Sequence, residues 1–168
     1  MFKVNDVVVY GSQGVCEIIG IDERKIDGVS RTYFVLKPKN NSGATFYVPT
    51  WNEKAWRKMR KVMSKQDVDA LIDSMPSKTP IWIENETERK ETYKMILASG
   101  DQAAIISMIQ ALFAHKQERE AAGKRLHISD EHFMKDAEQL LYNEWQYVLN
   151  VDKAGLMAYI LERLQAGN

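Results

Sequence analysis

The stretch "ATFYVPTWNEKAWRKMRKVM", residues 44–63, holds the change of period that decides the fold. Its opening "TFYVP" is rich in aromatic and β-branched residues and ends at Pro49, a residue compatible with a sheet edge but not with a central ladder. Beyond Pro49 the pattern turns helical. Lys54, Arg57, Lys58, Arg60, Lys61 and Lys65 place six cations in twelve residues, and on a helix Lys54, Arg57, Lys58 and Lys61 share a face. We read 52–63 as a short basic helix whose stripe either meets phosphates or an acidic protein surface, or is simply solvated. Trp51 and Trp56 are read as packing residues rather than base stackers.

Upstream of this switch the chain is β-like. The candidate strands are "DVVVY" (6–10), "GVCEIIGI" (14–21), "TYFVLK" (32–37) and "ATFYVP" (44–49), joined by "GSQG", by Asp27–Gly28 and by "KNNSG" (39–43). The Gly and Asn residues of these joints tolerate the positive φ of tight turns. Strands this short and closely spaced predict a small, strongly bent sheet or barrel. If the last of them is exposed, its edge accepts a strand from another protein, with backbone hydrogen bonds giving affinity.

Downstream, Ser64 and Asp67 form a capping box for a helix through Met75. Two prolines in "MPSKTP" (75–80) then mark the expected domain boundary, giving 1–75 and 76–168. Asn85 with Glu88 caps a helix to Ser99, Gly100 stops it, and Asp101 caps the next, whose stripe is Ile105, Ile106, Ile109, Leu112 and Phe113. Ser129 is read as the cap of a helix carrying Phe133, Ala137, Leu140, Leu141, Trp145 and Val148; Asp152 opens a last one with Leu156, Ile160 and Leu164. Four striped helices predict mutual packing. The fold class is therefore α+β in two domains, a small β domain followed by an all-α one.

With 168 residues and 45% hydrophobic content, the chain is long enough for one core or two small ones. The 23 basic and 23 acidic side chains cancel, but up to Met75 there are 12 against 9, leaving 11 against 14 after it. One cysteine, Cys16, forms no internal disulfide and fits a reducing cytoplasm. No apolar run approaches the roughly 18 residues that span a bilayer, so no membrane partner is expected.

Catalytic signatures are absent: there is no Gly-rich phosphate loop, no GxSxG and no HExxH. His127 and His132 are five apart and would not share a helix face, so neither a metal nor any other cofactor is expected. Cys16 reads as a small core residue, without a nearby histidine or cationic cluster to activate it. The expectation is a binding protein with no small-molecule ligand, not an enzyme. A second basic group comprises Lys116, Arg119, Lys124 and Arg125, with Arg89, Lys90 and Lys94 on the preceding helix. If the two clusters converge they grip a few phosphates, against the opposing field of Glu84, Glu86, Glu88 and Glu91.

The order of "FKVNDVVVYGSQGVCEIIGI", "YFVLK", "FYVP" and "LASGD" (97–101) resembles the CarD family of bacterial transcription regulators. The resemblance implies a Tudor-like β domain that pairs a strand with the β subunit of RNA polymerase, and a helical domain lying against promoter DNA at the upstream edge of the transcription bubble. That would stabilise the open complex without reading a defined sequence, with the protein bound as a monomer in the bacterial cytoplasm. The polymerase-facing edge maps to Thr45, Phe46, Tyr47 and Val48, with Arg24 on a nearby strand; Tyr47 stands where the family often has arginine. Relatives that wedge a tryptophan into the minor groove place it where this chain has Glu86, with Arg89 remaining of the basic residues that follow. Trp82 lies four residues upstream, between Ile81 and Ile83, and either takes over the wedge or packs in the core. "SDEHF" (129–133) likewise puts Glu131 and His132 where relatives are basic. DNA contact is thus carried by Trp82, Glu86, Arg89, Lys90, Lys94, Lys116, Arg119, Lys124 and Arg125. The alternative is a polymerase-docked adaptor whose acidic helical domain recruits another protein. On the first reading, Arg89→Glu weakens promoter effects and spares polymerase binding, and Tyr47→Glu does the reverse.

Overall fold

The computed structural model describes residues 2–40 and 43–167. It contains two compact units, 1–63 and 64–168. The first is a five-stranded antiparallel sheet of β1 (Val7–Tyr10), β2 (Val15–Ile26), β3 (Val29–Pro38), β4 (Phe46–Pro49) and β5 (Met59–Lys61), in the order β4-β3-β2-β1-β5. Positive φ at both Asp27 (49°) and Gly28 (77°) makes the two-residue turn that matches strand twist and sets the β2–β3 register, Ile26 opposite Val29. A register shift between Ile18 and Gly20 bends β2, so one face closes over Val8, Cys16, Ile18, Phe34, Leu36, Val48 and Met59. Burial pushes the Cys16 thiol up to about 11, which makes it an inert core residue, as the sequence suggested. Of the expected "KNNSG" turn, Asn41 and Ser42 lie outside the described residues.

The basic helix expected over 52–63 does not form. One helical turn, α1 (Glu53–Trp56), is capped by Asn52, and the chain then becomes β5. Met59, Arg60 and Lys61 pair with Tyr10, Val9 and Val8, and Met59 drops into the core. Closing the open edge of β1 outweighs the helical preference of a Lys/Arg-rich run, because each paired residue gains ladder bonds and Met59 gains burial. The four-cation face therefore does not exist; Arg57 is turned back onto Glu53 at 2.9 Å.

The second unit is α2 (Lys65–Ser74), α3 (Glu86–Ser99), α4 (Gln102–Ala121), α5 (Ile128–Leu149) and α6 (Lys153–Ala166). Ser64 and Asp67 make the expected capping box, and Asn85, Asp101 and Asp152 cap their helices. Gly100 ends α3 in the left-handed region at φ 67°. Ser129 is not a cap: α5 starts earlier, behind His127, which makes no side-chain capping bond. Phe113, expected on the buried stripe of α4, is 49% exposed.

The structural division falls at 63/64, ahead of the boundary expected at 75/76. Val68 and Ile72 of α2 are fully buried, and the Tyr159 hydroxyl of α6 donates to Asp69 at 2.5 Å. Arg163 clasps Asp73 through Nε (2.8 Å) and Nη2 (2.9 Å). The prolines break the helix, but the amphipathic segment before them buries its apolar face in the helical unit. Redrawn this way, the β unit holds 11 basic and 6 acidic side chains and the helical unit 12 and 17, so the units carry +5 and −5.

Candidate functional site

Among the described residues β4 is an edge strand, bonded only to β3. Phe46, Tyr47, Val48 and Pro49 face Leu36, Val35, Phe34 and Tyr33, and the Thr50 amide donates to the Thr32 carbonyl at 3.1 Å. Backbone groups alternate in direction along a strand, so Phe46, Val48 and Thr50 serve β3. The N–H and C=O of Tyr47 and the C=O of Pro49 then point to the open side. Pro49, with no N–H, sits where none is needed by β3.

Side chains alternate as well. Val48 is fully buried and Phe46 packs on the core, whereas Tyr47 is 40% exposed and Thr45 is exposed ahead of the strand. Of the four edge residues named from sequence, Tyr47 and Thr45 present side chains, while Phe46 and Val48 anchor the strand from beneath. Arg24 joins them: from β2 its guanidinium carbon sits 3.5 Å from the centroid of the Tyr47 ring. Its Nε donates to Asp22 at 3.0 Å, and that bond holds its pKa above the ordinary guanidinium value.

Two neighbours were not found from sequence. Trp51, expected to pack, is 48% exposed and lies edge-on to Tyr33 at 5.0 Å; Arg31 stands over its ring at 5.1 Å. A tryptophan just past a proline-terminated strand was the available signal. Its exposure depends on β4 being an edge, which composition does not reveal.

The cations expected to face DNA are dispersed. Arg89 is 3% exposed, and its Nε and Nη2 each lie 3.0 Å from an Asp130 oxygen, while Nη1 donates to the carbonyls of Ile83 (2.8 Å) and Glu84 (3.2 Å). It is a buried staple between α3 and α5, unavailable to phosphate, which corrects the DNA-facing role expected for it. Trp82 lies ahead of α3 rather than on it, stacked on His115 at 3.7 Å, with Arg89 4.4 Å from its centroid. A stacked imidazole fills one face of the indole, so the guanidinium occupies the other, and no face is free to wedge between bases.

Glu86, at the start of α3, is paired with Lys90, which holds its carboxyl below the usual range. Lys116 is 3.9 Å from Glu120. Arg119 donates through Nε to the Arg125 carbonyl at 2.6 Å, which brings those two together at the end of α4. Lys94, Lys124 and Arg125 are exposed. No group of His, Cys, Asp and Glu among the described residues is arranged to hold a metal ion. No described helix is long and apolar enough to cross a membrane.

Residues 2–63, all but the first residue of the β unit, match the family model of the CarD-like/TRCF RID domain, the RNA polymerase-interacting domain found in CarD-like proteins.

Proposed function

We propose, on the premise that this chain belongs to the CarD family through its N-terminal domain, that it is a transcription regulator docked on the RNA polymerase β subunit. The open edge of β4 supports this reading above all: Tyr47 offers a backbone donor and acceptor, and Pro49 an acceptor, to an incoming strand. The helical unit then contacts promoter DNA near the upstream bubble edge and prolongs the open complex without sequence preference. Lys94, Lys116, Arg119, Lys124 and Arg125 are the cations left for that contact. The β domain is an interaction module, and the chain acts by binding as a monomer in the bacterial cytoplasm, without catalysis.

The test is strand addition itself. Tyr47→Pro removes the outward N–H and leaves the β3–β4 ladder intact; it is expected to abolish binding to a polymerase β-subunit fragment while the melting temperature holds. Binding by the variant as tight as by the parent chain would refute the docking mode.

A second reading is favoured by the burial of Arg89 and the −5 charge of the helical unit: a polymerase-docked adaptor with little DNA binding. Each phosphate neutralised contributes about −0.9 to the log–log salt slope on duplex DNA. A promoter-complex slope equal to that of polymerase docking alone, with unchanged open-complex lifetime, selects the adaptor.

A further inference from the structure

Arg24 and Arg31 stand directly opposite one another on β2 and β3. Like charges in that position destabilise a sheet unless something takes up the charge. Nothing on this face does so fully. Asp22 engages Arg24, and Arg31 has no acidic partner among the described residues. Glu23, the next acid on β2, alternates to the opposite face and receives the Ser30 hydroxyl instead. Both guanidiniums are instead laid on aromatic rings at the open end of the sheet, Arg24 on Tyr47 of β4 and Arg31 on Trp51 just past it. A guanidinium held over a ring still presents donors at its rim, in the fork that fits a carboxylate with two parallel hydrogen bonds, although on Arg24 the Nε donor is taken by Asp22.

We infer that Arg31 and Trp51 form a specificity-determining pair that, beside Arg24 and Tyr47, receives an acidic side chain of the docked polymerase. This rests on the strand-addition reading, since a strand seated on β4 brings its outward side chains level with these rings. Exposed aromatics with arginine are the residue types that carry most binding energy at protein interfaces. The charge left without an acidic partner in the free protein explains why the occupant is acidic rather than merely apolar. Tyr47 thus leaves the edge with two guanidiniums, one of them supplied from β3.

The experiment measures binding of the full-length chain to RNA polymerase core enzyme for Arg31→Ala, Trp51→Ala, the double variant and Arg31→Lys. Each alanine variant is expected to bind about tenfold more weakly, as for an interface anchor, and the double variant no worse than the weaker single. Arg31→Lys fails to restore affinity, because a lysine keeps the charge but neither stacks nor forks. Raising salt narrows the gap between parent and variants. In the free protein, Arg31→Ala leaves the melting temperature unchanged or higher, since it removes a like-charge pair. Parent-like affinity of Arg31→Ala, full rescue by lysine, strictly additive losses, or a lowered melting temperature alongside weaker binding would each overturn the inference. Parent-like affinity of Tyr47→Pro is a separate result that removes the docking mode and this inference with it.

Discussion

Four hydrogen bonds leave the Arg89 guanidinium, two to Asp130 and two to carbonyls ahead of α3. Asp130 itself is fully buried, so each charge depends on the other for compensation. Removing one partner of such a pair costs about 3–5 kcal/mol, chiefly from the charge left behind. Arg89→Ala is therefore expected to lower the unfolding free energy of the helical unit, measured by denaturant titration, by that order, and Arg89→Glu, which sets two carboxylates together, by more. This replaces the expectation that Arg89→Glu acts on promoter contact alone; a variant that melts like the parent chain would contradict the staple. The nearby Tyr93 is buried in the same region. Among the described residues its hydroxyl has no hydrogen-bond partner, and burial, reinforced by the Asp130 charge, pushes it up to about 12.

Elements owe their positions to partners as much as to local preference. β5 exists because β1 offers an unpaired edge and the core accepts Met59. Met59→Ala should cost about 2–5 kcal/mol, the usual range for truncating a buried Met, and thermal unfolding with and without the substitution checks it. α2 is held to α6 by charge as well as by Val68 and Ile72. Burial alone would raise the Asp69 pKa, but bonds from Tyr159 and Lys65 and the charge of Arg163 outweigh it and leave the pKa lowered. A lowered carboxylate pKa contributes stability that is complete above the unfolded value of 3.8 and lost as pH falls through the folded one. Acid titration of stability should therefore steepen below that value in the parent chain and flatten in Asp69→Asn; identical profiles would show that the clamp is idle.

At the scale of the whole molecule, two units of opposite charge, +5 and −5, share one chain. Because α2 belongs to the helical unit, a fragment 64–168 should melt well above a fragment 76–168, which loses Val68, Ile72 and both aspartates facing α6. Circular dichroism of the two fragments decides this, and equal melting would restore the boundary at 75/76.

The sequence by itself determined the fold class, the β1–β4 strands, the Asp27–Gly28 turn and the caps at Ser64, Asn85, Asp101 and Asp152. All of these follow from forces between residues a few positions apart. Pro49, which lacks a donor, made "FYVP" compatible with an edge, and the strand order made it one. Only the tertiary structure decided that 59–61 is a strand, that Arg89 is buried, that both faces of Trp82 are covered, and that Arg24 and Arg31 lie side by side near the edge. Those outcomes depend on contacts between residues far apart in the chain, such as Arg89 with Asp130 and Lys61 with Val8. A lysine or arginine reads the same in sequence whether it meets solvent, a phosphate or a buried carboxylate. Which of these it meets is set by the desolvation and pairing that packing imposes.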